Sequence, residues 1–309
     1  MDISVVIPTY NRIDTLRHVI PALLRQDISA DRYEIVVADS NSNDGTAEYL
    51  AEISDRDERL RHVPGPYTGR AGARNAGIRA ARGAVVLFTD ADIIASPDLL
   101  SRHWEHHKDR ERVAVVGMEL QVSSFAEYLA QSSDTEARKP LHPSSRKQLS
   151  WLYFLTGNAS VRKADLEAVG MFDEDFTGYG HEDLELGYRL QQAGVTIVYE
   201  PRAVNYHWHP VGYDEQKGRM ELAGRSTVRF YRKHPDPRVQ MNLGMTPVSL
   251  WLHALLGKAP AVYQKLERAG RSGGPKNSWP HIARQIVYQY HYVSGIKRAL
   301  ASAESQGVK

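Results

Sequence analysis

The chain has no cysteine, which excludes disulfides and thiolate-held metals. Any cation must rest on Asp, Glu or His, and 13 histidines leave that route open. Charge of one sign is also missing: 39 Lys and Arg against 37 Asp and Glu leave a formal net charge of +2. A nucleic-acid binder carries a stronger basic excess or a basic stripe, so no nucleic-acid partner is expected. Long apolar runs are absent too. None reaches the about 20 residues that a membrane-spanning helix needs. The opening MDISVVIPTYNR lacks the charged stretch and apolar core of a secretory signal. These absences predict a cytoplasmic protein. Neither the phosphate-loop pattern nor the dinucleotide fingerprint occurs, which argues against an ATPase or a dehydrogenase.

What is present is an ordinary globular balance over 309 residues, enough for one large α/β domain with an appendage or for two modest domains. The β-branched run at 3–7 stops at Pro8 and reads as a buried strand. Leu16, Val19, Ile20, Leu23 and Leu24 fall at helical spacing within 13–26. A second strand at 33–38 ends in Asp39 and the turn-rich SNSNDGT, where Asp44 is placed to cap a helix at 46–53. A strand at 60–63, a helix over 71–81 and a strand at 84–88 follow, and the last runs into Thr89-Asp90-Ala91-Asp92. This alternation predicts βαβ units, hence a mostly parallel sheet flanked by helices. Ligands of such sheets sit beyond the carboxyl ends of the strands, where residues 8–12, Asp39 and 90–92 all fall. Beyond residue 95 the pattern predicts helices at 97–108, 163–169, 182–193, 214–234, 248–256 and 281–303. It predicts strands at 113–120 and 195–199, an extended segment at 204–209, and a polar loop at 131–148. No internal repeat is visible.

Several residues carry chemistry. Asp90 and Asp92, two apart at a strand end, suit a hard cation that keeps waters and takes phosphate oxygens, although solvated loops show the same pattern by chance. In NYHWHP, alternation turns His207 and His209 to one face. That face is either the polar side of an edge strand or part of a metal shell. Glu182 and Asp183 follow GYGH at a helix start, where acids favour the dipole or where Asp183 serves as a general base. The helix terminus would weaken Asp183 as a base, and burial beside another acid would strengthen it. Arg70 and Arg74 share a face in GRAGARNAG that holds a diphosphate, anchors a loop or is solvated. The small residues there let the helix close on the sheet.

In the order VVIPTYN, Asp39 with Asp-Gly following, GRAGARNAG, FTDAD, TGNASVRK, GMFDEDF and GYGHEDLELGYRL, the chain resembles the family 2 glycosyltransferases of GT-A fold over residues 3–209. The resemblance implies a metal-dependent inverting enzyme. It would move one sugar from a nucleoside diphosphate sugar, UDP-linked by preference, to an acceptor hydroxyl in polysaccharide, glycolipid or glycoconjugate synthesis. Its cofactor would be Mn²⁺ or Mg²⁺. It implies that Pro8, Thr9 and Tyr10, with Arg12, form the nucleobase-side loop and that Asp39 contacts base or ribose. Arg70, Arg74, Asn75 and Ala91 would line the donor site, with Asp90 on its ribose or metal side. Gly157 and Asn158 would lie beneath the donor sugar. Asp92 and His207 would hold the metal, with Asp90 and His209 as further candidates. Asp183 would be the base and Glu182 its acceptor-side neighbour. The region 178–188 is similar to bacterial chondroitin polymerases and to the polypeptide N-acetylgalactosaminyltransferases. The latter retain configuration and carry Glu-Asn where this chain has Glu182-Asp183, so the acid favours inversion.

Two departures stand out. The loop after Asp39 reads Ser-Asn-Ser-Asn-Asp44, without the family's usual second acid, which opens the nucleobase preference. The Gln-x-x-Arg-Trp signature of processive synthases is absent, which favours single-sugar transfer. The domain reading is a GT-A domain at 1–240, with a nucleotide-binding half (1–95) and an acceptor and catalytic half (96–240), and a helical extension at 241–309. The extension's apolar face at 248–256, followed by Lys258, Lys265, Arg268 and Arg271, reads as core packing, a dimer contact or a peripheral membrane contact. A nucleotidyltransferase would show a glycine-rich loop after the first strand, and PTYNR lacks it. A non-catalytic sugar-nucleotide-binding module is the other alternative, and the joint presence of Asp92, Asp183 and a His ligand opposes it.

Overall fold

The β-branched runs and the amphipathic helices alternate in space as they do in the chain. The structure is a computed structural model and describes residues 1–133 and 148–304; the polar loop expected at 131–148 lies almost wholly outside them. The elements are β1 (Ile3–Thr9), α1 (Ile13–Leu23), β2 (Tyr33–Asp39), α2 (Thr46–Ser54), β3 (Leu60–Pro64), α3 (Gly69–Ala80), β4 (Val85–Phe88), β5 (Ile93–Ala95), α4 (Leu99–His107) and β6 (Val113–Val122). Then come α5 (Phe125–Ser133), β7 (Ala159–Arg162), α6 (Lys163–Ala168), α7 (Glu182–Gln192), β8 (Thr196–Trp208), α8 (Tyr213–Lys233), α9 (Pro237–Asn242), α10 (Pro247–Gly257), α11 (Pro260–Ser272) and α12 (Trp279–Glu304).

The chain divides into two compact units, one of residues 1–177 and 182–210 and one of 178–181 and 211–309. In the first unit the described strands form one sheet in the order β3-β2-β1-β4-β7-β6-β8-β5. β1 pairs in parallel with β2 and β4, and β2 with β3. Beyond β4 the sheet is mixed, because β7 runs antiparallel to both β4 and β6. β8 rejoins in parallel with β6 and carries β5 antiparallel on its edge. The two extended segments expected at 195–199 and 204–209 are thus one strand, irregular opposite Gly117 and Met118. The directions bring Thr9, Asp39, Phe88 and Trp208 to one sheet edge, together with the start of β7.

Local causes are plain. β1 and β2 are buried along their whole length, as central parallel strands must be. α1 buries Leu16, Val19, Ile20 and Leu23, one stripe of a 3.6-residue period. Its first amide, Ile13 N–H, donates to Asp44 Oδ2 at 3.1 Å. Asp44 Oδ1 accepts from Thr46, so the residue expected to cap α2 serves two helix starts. α3 closes on β1 at Gly77, where a Cβ would stand 2.4 Å from Val6 Cγ1.

The second unit is helical. α8 and α12 meet backbone to backbone: a Cβ at Gly224 would lie 1.9 Å from Tyr292 O, and one at Gly295 would lie 2.0 Å from Glu221 O. Gly295→Ala therefore overpacks this crossing and costs about 1–3 kcal/mol, read as a lowered urea midpoint. An unchanged midpoint would show that the helices part without cost. No helix among the described residues is long and apolar enough to cross a membrane.

Candidate active site

At the sheet edge the first two loops are stitched together. Asn11, at φ 51°, donates its backbone N–H to Ser42 Oγ and accepts from Asn43 N–H at Oδ1. Asp39, buried at the end of β2, accepts from Ser42 Oγ at 2.5 Å and faces His62 Nε2 at 3.6 Å. Thr9 stands directly across from Asp39, and its buried Oγ1 has no partner among the described residues. An orphaned hydroxyl beside a carboxylate at a strand end is ready to bond a polar ligand. Pro8 is buried in β1, Tyr10 projects into solvent and Arg12 is half-buried.

The centre of the site is Arg74, on α3 and 2% exposed. Its guanidinium donates to Asp90 Oδ1 at 2.9 Å and to Glu182 Oε1 at 3.2 Å, and it lies over the Phe172 ring at 5.5 Å. Arg74 is thus held by two carboxylates of the protein itself. Arg70 is exposed and Ala91 is buried. Asp90 is turned to Arg74. Arg74 Nε and Glu182 Oε2 are buried without partners among the described residues.

Asp183 follows Glu182 at the start of α7 and stays partly open to solvent. Its carboxyl is raised to about 7, by burial first and then by the Glu182 charge; Arg74 and the amides at the helix start oppose this. Burial therefore outweighs the helix terminus. The loop before it, 178–181, belongs by its contacts to the helical unit. There His181, at φ 74°, bonds Thr227 Oγ1 through Nε2 at 2.8 Å.

A third group gathers Asp92, His207, His209 and Glu119. Asp92 Oδ1 lies 3.5 Å from His207 Nε2, and its Oδ2 lies 3.3 Å from His209 Nδ1. His207 Nδ1 reaches Glu119 Oε1 at 3.0 Å. The two imidazoles share a face, stacked 6.0 Å apart. Burial opposes charge on His207, yet Asp92 and Glu119 raise it to about 10; burial also opposes charge on Asp92, which the two histidines and Arg12 nonetheless hold ionised. Among the described residues no three such side chains stand as a ready-made metal shell. Ligands about 2.1 Å from an octahedral cation stand about 3 Å apart. The two Asp92–histidine distances lie within about half an ångström of that spacing, so Asp92, His207 and His209 are the residues here whose chemistry suits a divalent cation, which would bind a neutral His207. Glu119 escaped sequence reading, although a lone acid in the strand run VAVVGMEL was a visible signal.

Two expected donor residues have their side chains engaged within the protein. Asn75 donates to Phe172 O and Glu174 Oε1 and accepts from Phe172 N–H, which fixes the 172–174 loop. Asn158 donates to Met118 O and Ala203 O and accepts from His103 Nε2, which ties β6, β8 and α4 together.

Known proteins add to this geometry. The family model "Glycosyl transferase family 2" matches residues 4–170, and one described as "N-terminal domain of galactosyltransferase" matches 141–209. The chain is 32% identical over 266 residues to validoxylamine A glucosyltransferase of Streptomyces hygroscopicus subsp. jinggangensis (strain 5008), covering 76% of this chain and 61% of that one. It is 28% identical over 273 residues to chondroitin synthase of Escherichia coli, covering 75% and 39%. The chain thus spans less than two thirds of either relative. The mannosyltransferase PcManGT from Pyrobaculum calidifontis, solved with GDP-Man and Mn²⁺, superposes with a TM-score of 0.65 at 20% identity, over 96% of this chain and 86% of that one. That likeness speaks for the fold, which is GT-A.

Proposed function

The chain belongs to glycosyl transferase family 2 and is a glycosyltransferase, and on that premise we propose a metal-assisted, inverting transfer of one sugar from a nucleoside diphosphate sugar to an acceptor hydroxyl. The observation that carries it is Asp183, a carboxyl held near neutral pKa beside the Arg74-bound acids. Such transfer needs a base for the acceptor proton, charge to steady the leaving diphosphate, and a fixed nucleoside. Asp183 takes the acceptor's proton as the acceptor oxygen bonds to the anomeric carbon. The bond from that carbon to the phosphate oxygen breaks, and its electron pair leaves with the diphosphate. A single displacement of this kind inverts the carbon.

Asp92, His207 and His209 would hold the cation, Mn²⁺ or Mg²⁺, whose charge stabilises the departing diphosphate when bound. Thr9 and Asp39 would bond the nucleoside, with Tyr10 over the base. Uridine diphosphate is the favoured donor. The neighbour solved with GDP-Man puts guanine in the same test. We assign residues 1–95 to the nucleotide and 96–240 to the acceptor and the base. Peripheral membrane contact is assigned to the helices after 241.

The protein incubated with Mn²⁺ or Mg²⁺ and a panel of nucleotide sugars releases free nucleoside diphosphate, and Asp92→Ala slows that release by about 10²–10³-fold. Calorimetry on the same samples decides the null case. If no nucleotide binds in a metal-dependent way, the proposal fails.

A further inference from the structure

α10 turns its most apolar stripe to water. Val248, Trp251, Leu252 and Leu255, at i, i+3, i+4 and i+7, are 65%, 62%, 51% and 53% exposed, and no residue of this helix is fully buried. The start of α12 repeats the pattern with Trp279, Ile282 and Ile286, and Val262 on α11 adds to it. Apolar exposure on this scale marks a contact surface.

The charge around it says what the contact is. Residues 247–285 hold six basic residues, Lys258, Lys265, Arg268, Arg271, Lys276 and Arg284, against the single acid Glu267. That is a formal +5 in a chain whose total is +2, leaving −3 for the remainder. Arg271 is held by Asp214, but among the described residues no carboxylate pairs with Lys258, Lys265, Arg268 or Lys276. α10 itself carries no charge, and Lys258 follows its last turn. Exposed tryptophans and leucines flanked by lysines suit a lipid interface, where rings lie at headgroup depth and ammonium groups meet phosphates. A protein–protein interface would be depleted of lysine.

We infer that the α10 stripe of Val248, Trp251, Leu252 and Leu255 docks the protein on an anionic lipid surface, with Lys258 and Lys265 reading the headgroup charge. The inference deepens the membrane contact assigned to the helices after 241 and is independent of the reaction assigned above.

The test is sedimentation of the full chain with vesicles of phosphatidylcholine alone or mixed with phosphatidylglycerol. The mixed vesicles carry the protein down, the pure ones retain at least about tenfold less, and added salt weakens the binding. Trp251→Ser with Leu255→Ser lowers retention by about tenfold or more, and Lys258→Gln with Lys265→Gln removes the preference for phosphatidylglycerol. Nucleotide binding by the same variants, measured in solution, checks that they fold. Failure to sediment with the mixed vesicles overturns the inference, as does retention that the Trp251 and Leu255 changes leave untouched. If the chain instead self-associates in solution and those changes dissociate it, the face joins two copies.

Discussion

Replacing Asp183 by asparagine lowers kcat for sugar transfer by about 10²–10⁴-fold, the range of a lost general base. Nucleotide binding stays near that of the unaltered protein, since nothing places Asp183 against the nucleotide. The pH profile gives the sharper reading. A base works as its carboxylate, so kcat/KM of the unaltered enzyme rises with pH and levels off above about 7, where Asp183 ionises. The asparagine variant's residual rate shows no such inflection. A rising limb that survives Asp183→Asn would assign the base elsewhere.

The same substitution has a stability signature of opposite sign. The folded carboxyl titrates near 7 rather than at its ordinary 3.8. Its ionisation therefore opposes folding: the penalty is absent below about pH 4, grows as pH rises, and is complete above about 7. Asparagine has no such penalty. Asp183→Asn should match the unaltered protein at pH 4 and exceed it by on the order of 2 kcal/mol at pH 8, allowing for the carboxyl's partial contact with water. A constant difference in melting temperature across that range would contradict a buried, raised carboxyl.

The arrangement at Asp183 also shows where a sequence stops speaking. Its place at a helix start was legible from GYGHED, because glycine punctuation and paired acids are local signals. The pKa was not, since it depends on Arg74, over a hundred residues away, and on burial. The same divide runs through the fold. α1 could be drawn from the spacing of Leu16, Val19, Ile20 and Leu23, and the gathering of Thr9, Asp39 and Asp90 at one edge followed from parallel βαβ logic. β5 could not be seen, because three residues show no periodicity and exist as a strand only through pairing with β8. The intramolecular partners of Asn75 and Asn158 could not be read in one dimension either. Their amides go to carbonyls and side chains that only the folded chain brings near.

Loss of Arg74 costs a large share of the stability. Arg74 is a buried cation hydrogen-bonded to Asp90 and Glu182, with the Asp183 charge close by. Arg74→Ala leaves these acids facing one another with nothing to neutralise them, which costs about 3–5 kcal/mol. Arg74→Lys recovers only part of this, because an ammonium group is a point charge and lacks the fork that reaches both acids. The loss is conditional on the acids. Arg74→Met combined with Glu182→Gln should cost clearly less than the sum of the single changes, since the second removes a charge that the first exposes. A kinetic consequence follows from the same contact. Arg74 holds the Asp183 pKa down against burial and Glu182. Without it the inflection in kcat/KM moves to higher pH, and at pH 7 less of the base is ionised. Urea midpoints and pH profiles of Arg74→Lys and of the double variant give both readings, even if Arg74→Ala does not fold. Unfolding at an unaltered urea midpoint together with an unmoved inflection would remove Arg74 from the centre of the site.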